Sequence, residues 1–334
     1  MKNITTSLIL LILTVSSVHS EGFYIGAKAS QMDWDSAILK QAIKQEKLTN
    51  LGSLAIGSQR YTNLQPSNVE MRMYGFTAGI IGRSASLNYG FSTGNSNFNL
   101  NANDYYSTSL MYLRQKEFEA KRTDQDLSLS ILLSDTGFYI FGGLKAQSYT
   151  YDISDNPSFA IGTSNGQIFA GSPRLSLSKP NSKINFVSYG PAAGLGYTKA
   201  LTNRLSISAS VGMIYMFSYY QQNGLAFIVD GGTGGTGNTV SLVKTRDTQQ
   251  SIKIGGYTFS LNFNFLLGNG ILQLGLIKQE AQLTSMMNDY LMYSFGPKGP
   301  SVDWGSFLIK QMLNINEKDV FQGITLGYQH KLSD

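Results

Sequence analysis

Between residues 205 and 219 the chain alternates with a period of two. Leu205, Ile207, Ala209, Val211, Met213, Tyr215, Phe217 and Tyr219 are interleaved with Ser206, Ser208, Ser210, Gly212, Ile214, Met216 and Ser218. A β-strand turns successive side chains to opposite faces, so the two sets lie on opposite sides of a sheet. The pattern recurs. Tyr257, Phe259, Leu261, Phe263 and Phe265 alternate with Thr258, Ser260, Asn262 and Asn264. Val187, Tyr189, Ala193, Leu195 and Tyr197, then Leu127, Leu129, Ile131 and Leu133, then Ile324, Leu326, Tyr328 and Leu332 do the same. The second face is what constrains the fold. It carries Ser, Gly, Thr, Asn and Gln, where a soluble sheet usually shows Lys, Glu and Arg. Small uncharged polar groups suit a crowded or water-filled interior, and the apolar face is then left for lipid. The strands are long enough to cross a bilayer at a tilt, which takes about 9 to 11 residues. Tyr215, Phe217, Tyr219, Tyr220, Phe263, Phe265, Tyr149 and Tyr151 are expected at strand ends, where aromatic side chains form interfacial girdles.

Composition removes the competitors. Only 14% of residues are charged, against roughly 25% in a typical soluble domain. The 19 Tyr and 18 Phe argue against disorder. Past residue 20 no stretch is apolar enough for a membrane-spanning helix, which needs about 20 residues. The absence of cysteine excludes a disulfide-stapled module and a cysteine-anchored lipoprotein. A periplasmic or secreted β-sandwich is the competing reading. Residues 1–20 read as a cleaved signal peptide, with Lys2, the apolar run Leu8 to Leu13 and Val18-His19-Ser20 before Glu21. Residues 21–334 then form one barrel domain. The basic surplus is scattered, so nucleic acid is not an expected partner.

The connections alternate in length. Residues 134–137, 202–204 and 268–270 read as tight turns, whereas 151–182, 221–250 and 284–319 read as long Gly-, Ser- and Asn-rich links. With these features the chain resembles bacterial, Gram-negative-type outer-membrane β-barrel proteins, porin-like, as a class. The resemblance implies an all-β fold, a transmembrane antiparallel up-and-down β-barrel. It implies outer-membrane lipid, lipopolysaccharide, the barrel-assembly machinery and small solutes as partners, and no cofactor. One departure is the C-terminus, where such proteins commonly end on an aromatic residue. Here Leu332 is followed by Ser333 and Asp334.

Self-comparison joins the two ends. Residues 22–60 align without gaps on 292–330. Gly26, Lys28, Asp33, Trp34, Ser36, Lys40, Gln41, Gly57 and Gln59 match Gly296, Lys298, Asp303, Trp304, Ser306, Lys310, Gln311, Gly327 and Gln329. Both tryptophans of the chain lie in the match. Each copy reads strand, short helix, strand, with Trp34, Ala37, Ile38, Ala42 and Ile43 at helical spacing in the first. Asp33 or the following serine is placed to cap that helix. First and last strands of a closed barrel are neighbours, so the two copies are expected together at the mouth. Asp33, Trp34, Ser36, Lys40 and Gln41, with Asp303, Trp304, Ser306, Lys310 and Gln311, are the cover candidates. The repeat leads to a count of about 12 strands, within a range of 10 to 14, with short helices in the first and last long loops.

Chemistry for an enzyme is thin. After signal removal His330 is the sole histidine, and it sits at the periplasmic end of the last strand. Barrel hydrolases as families use a histidine near the outer leaflet, so no enzyme activity is expected. Gly232 to Gly237 fits a phosphate-loop pattern but lacks a following helix. Parity turns Lys28, Lys145 and Lys331 inward with Asn262, Asn264 and Gln329, and places no acidic residue in mid-lumen. The first expectation is a porin-like passive channel for small polar solutes, anions included. The alternatives are a surface-exposed barrel whose long loops bind partners, adhesin-like, and an outer-membrane transporter of hydrophobic compounds.

Overall fold

The computed structural model describes residues 20–41, 69–107, 110–133, 136–164, 167–171, 182–223, 226–230, 240–244, 248–286, 293–296, 299–302 and 314–332. Ten long strands form the wall: β1 (Ser20–Asp35), β2 (Val69–Gly82), β3 (Ala85–Ser107), β4 (Leu110–Leu132), β5 (Phe138–Ser164), β7 (Ser182–Ala200), β8 (Leu205–Asn223), β11 (Thr248–Leu267), β12 (Gly270–Ser285) and β15 (Asn316–Lys331). Between them lie β6 (Gln167–Gly171), β9 (Ala226–Asp230), β10 (Val240–Lys244), β13 (Tyr293–Gly296) and β14 (Gly299–Val302). Each wall strand pairs antiparallel with the next, and β1 pairs with β15 to close the ring. Closure satisfies every wall strand on both edges, as a hydrocarbon environment demands. β6 extends the β5 hairpin, and β9–β10 and β13–β14 are separate hairpins in the long connections.

The count is therefore ten, not twelve. At its upper end β1 pairs directly with β2, Trp34 opposite Val69, and β12 pairs directly with β15, Thr284 opposite Asn316. No slot remains in the wall for the strands expected near 51–60 and 288–299. The first lies outside the described residues; of the second, the described residues belong to the small β13–β14 hairpin. Residues 22–35 of the first copy lie in β1, whereas the described residues of the second, 293–296 and 299–302, form the β13–β14 hairpin.

One end has short turns. Gly137 is needed at its turn because φ is +83° and an added Cβ would lie 2.2 Å from the Thr198 carbonyl oxygen. Gly268-Asn269 closes β11 to β12 with φ +60° at the glycine. The other end carries the long connections. There β5 runs to Ser164, well into the segment expected to be loop.

The wall inverts its polarity along its length without changing register. In β4 the outward residues near the short-turn end are Leu127, Leu129 and Ile131, with Ser128 and Ser130 inside. Further up, Glu117, Glu119 and Lys121 are outward and exposed, while Phe118 and Ala120 are inward and buried. β1 passes likewise from outward Phe23 and Ile25 to outward Gln31 and Asp33 over inward Met32 and Trp34. In β12, outward Leu274 and Leu276 give way to outward Gln282 opposite inward Ala281 and Leu283. The short-turn half is built as a membrane barrel, apolar outside and polar inside. The long-loop half is built as a water-soluble barrel, with an interior core of Met32, Met71, Met73, Phe186, Met216 and Ile252, each at most 2% exposed.

Candidate functional site

The level at which polarity inverts is crossed by side chains from opposite walls. Arg122, on β4, is fully buried inside. Its Nε donates to Asp124 Oδ1 at 3.1 Å and Oδ2 at 3.0 Å, and its Nη1 lies 3.9 Å from Asp319 Oδ2 on β15. The guanidinium carbon sits 3.6 Å from the Phe321 ring centre, 4.9 Å from Tyr149 and 5.3 Å from Trp34. Neither Nη makes a hydrogen bond, so two carboxylates and three ring faces carry the compensation of this charge.

Asp319 ties that cage to the entrance loop. Its Oδ1 accepts from Trp34 Nε1 and from the Ala37 backbone N–H, both at 3.0 Å. Ala37 opens the helix 37–41, whose Ala37, Ile38 and Leu39 are at most 2% exposed. Ser36 Oγ accepts from the Leu39 N–H at 3.2 Å, satisfying an orphan donor of the first turn. The serine is thus the cap, and Asp33 points outward opposite Glu70 and Gln322. Ser36 also hydrogen-bonds Tyr151, and Lys40 reaches Asp35 at 2.7 Å and the Lys318 carbonyl at 2.8 Å. Gln41 is buried beside them.

Immediately below, Gln147 of β5 and Gln279 of β12 bridge the lumen as a reciprocal amide pair, at 3.1 and 3.2 Å. Gln147 also donates to Asp124 at 3.1 Å and accepts from Tyr149 Oη at 2.8 Å. At this level the lumen is one glutamine pair wide. The vestibule beneath opens toward the short turns. Lys145 pairs with Asp126 at 2.8 Å. Lys28 shares their charge field. Ser210 bonds Ser260 at 2.7 Å, and Gln273 donates to Asn264 at 3.1 Å. Asn262 lies between Ser260 and Asn264, and Gln329 and Lys331 follow toward the short-turn end of the barrel. Phe141 closes over Gly194 and Gly212, where a Cβ would meet its ring at 2.6 and 2.8 Å.

By register Lys28, Lys145, Asn262, Asn264, Gln329 and Lys331 occupy inward positions of their strands, and Trp34, Ser36, Lys40 and Gln41 lie at the long-loop end. Asp303, Trp304, Ser306, Lys310 and Gln311 lie outside the described residues, as does the glycine-rich 232–237 stretch. Two expectations need correction. Asp124, Asp126 and Asp319 also point inward, so the lumen is not lined by basic groups alone. Tyr149, Tyr151 and Tyr220 belong to the interior core, at most 2% exposed, and not to a girdle. Arg122, Asp124, Gln279, Asp319 and Phe321 were not among the candidates. Parity holds the signal for them: with Leu127 and Ile324 outward, residues 122, 124, 319 and 321 are inward. His330 is outward near the short turns, its ring 6.4 Å from that of Tyr328.

No family model and no curated protein sequence matches the chain. Among solved structures it is similar to the outer membrane protease OmpT from Escherichia coli, with 9% identity, covering 94% of this chain and 98% of that one at a TM-score of 0.41. It is similar to the translocator domain of the autotransporter NalP from Neisseria meningitidis, with 10% identity, coverage of 99% and 96%, and a TM-score of 0.38. The beta domain of the Bordetella autotransporter BrkA matches at 12% identity, coverage of 93% and 100%, and a TM-score of 0.29. At the level of class the chain resembles Gram-negative outer-membrane β-barrels.

Proposed function

We propose that this chain is a closed outer-membrane scaffold that acts through its long-loop half. In this reading residues 1–20 direct export, assembly machinery inserts the barrel, and the soluble-like half stands outside and presents its loops to partners. The role is non-catalytic. The observation that carries the reading is the Gln147–Gln279 bridge under the Arg122 cage, which fills the lumen with packed side chains. A diffusion pore needs a continuous water-filled path, and the side chains packed across the lumen at this level, among the described residues, support the closed reading. The porin-like reading retains support from the polar vestibule around Lys28, Lys145 and Asn264, and requires the cage to move. Planar-bilayer recording of the refolded full chain separates the two. The scaffold reading expects no stable conductance steps at moderate voltage. Reproducible open steps from the unaltered protein would support the channel.

A further inference from the structure

One sector of the outer wall departs from the polarity inversion. In β4 the outward apolar run ends at Leu127, and Gln125 and Thr123 follow; in β12 it ends at Leu276, and Lys278 follows. With a strand tilt of about 40° and about 3.3 Å per residue, these ends stand roughly 13–15 Å above the short-turn ends Leu132 and Gly270. In β7 and β8 the same face stays apolar as far as Val187 and Tyr219. By the same measure Tyr219 stands about 35 Å above Leu205, beyond the roughly 25 Å apolar band of a membrane barrel. The upper part of this face consists of Val187, Tyr189, Tyr215, Phe217 and Tyr219, which are 45–64% exposed.

Register makes these side chains a ridge. Val187 stands opposite Tyr219, and Tyr189 opposite Phe217. On the β5 side the ridge is bordered by Ala146, opposite Tyr189, and Ser148, opposite Val187. On the β11 side Tyr215 stands opposite Gly255, where an added Cβ would meet nothing within 4 Å. Tyr215 and Phe217 brace each other edge to face, with ring centres 5.3 Å apart. An aromatic ridge with a low trough beside it is a self-complementary shape. Turned by a two-fold axis, the ridge of one molecule fits the β5-side trough of another, and the reverse.

We propose that this ridge docks a second copy of the chain, with the two-fold axis along the membrane normal. The occupant follows from the height of the ridge. Lipid tails cover its lower part only, and a water-soluble partner covers its upper part only. A second copy is apolar over the same sector to the same height, so it covers both. The five side chains, with Leu144 and Met213 beneath them, offer roughly 700 Å², close to the 800 Å² per partner of a stable pair. Above the ridge Lys183 pairs with Asp152 at 3.5 Å, which supplies a polar rim. The pairing concerns the outer wall and is independent of whether the lumen is closed.

The test uses the full chain in lipid vesicles. The chain has no cysteine, so Val187→Cys puts a single thiol on the ridge beside the axis. Gln31→Cys puts one on β1, across the ring from β7. Under mild oxidation Val187→Cys is expected to form disulfide-linked pairs at least about tenfold faster than Gln31→Cys, because a docked neighbour raises the local thiol concentration. Gentle detergent extraction and native mass spectrometry should find two chains per particle. Phe217→Glu, shown to be folded by its heat-modifiable migration, should lower the yield of pairs by about tenfold, as loss of an interface anchor does. Equal rates for the two thiols would overturn the proposal. So would one chain per particle, the result expected if the ridge meets lipid or a different protein, and so would pairs that persist in folded Phe217→Glu.

Discussion

Two interiors meet inside one wall. Toward the short turns the lumen is lined by Ser208, Ser210, Ser260, Asn262, Asn264 and Gln273, small or amide side chains around open polar space. Toward the long loops the same strands present Trp34, Phe118, Tyr149, Tyr151, Phe186, Ile252 and Phe321, at most 5% exposed. The outer surface changes in the opposite sense, from Leu127, Leu129 and Ile131 to Glu117, Glu119 and Lys121. The hydrogen-bond register is continuous through the change, so backbone geometry does not create it. Solvent does. Where the outside meets hydrocarbon, the inside keeps the polar groups; where the outside meets water, apolar groups gain by turning in. A barrel of ten strands is narrow enough for side chains from opposite walls to meet, and this makes a packed core possible at all.

The largest expected effects lie in the long-loop half. Trp34→Ala should destabilise the barrel by about 3–5 kcal/mol, as large-to-small changes in cores do, measured by denaturant unfolding in lipid vesicles. It removes the ring from the Arg122 cage and one of the hydrogen bonds to Asp319. Arg122→Ala is expected in the same range, about 3–5 kcal/mol, because Asp124 and Asp319 are then left buried without their partner. A much smaller loss for either would mean the upper interior is not a core.

The membrane half is probed from outside. Val211→Arg places a charge on the lipid face and should cost about 2–4 kcal/mol. The matched change in the upper half, Glu119→Arg, should stay within about 0.5 kcal/mol, as exposed surface substitutions do. Equal costs for the two would erase the inversion. Between these extremes, Gln279→Leu removes one cross-lumen partner while Gln147 keeps Asp124 and Tyr149. A loss of about 1 kcal/mol is expected, the net worth of an ordinary hydrogen bond.

The membrane half was legible in the sequence because one polarity rule holds along each of its strands. Leu205 to Tyr219 and Tyr257 to Phe265 declare both faces at once. The upper half was harder for a physical reason. Parity still holds there, but the meaning of polar and apolar is exchanged. Tyr149 and Tyr151 therefore read as a girdle, although Lys145 and Gln147 on the same face already pointed inward. In the segment Phe118 to Asp126 the charges fall on both faces, and no hydropathy pattern marks Arg122 as buried. Counting outward from Leu127 does. The strand number failed for another reason: direct pairing of β1 with β2 and of β12 with β15 is a long-range fact, and local periodicity cannot register which segments are left out of a ring. The Trp34 copy of the repeat was found at the mouth, yet its partner Asp319 lies in a stretch where the two copies share no identity.

On the scaffold reading the polar vestibule communicates with the short-turn side only. The chain contains no cysteine, so a single Ser208→Cys variant offers one label site in the vestibule, below the Gln147–Gln279 bridge. In proteoliposomes of uniform orientation, a membrane-impermeant thiol reagent should label residue 208 from the short-turn side and leave it unmodified from the long-loop side. Labelling at equal rates from both sides would contradict the blocked lumen.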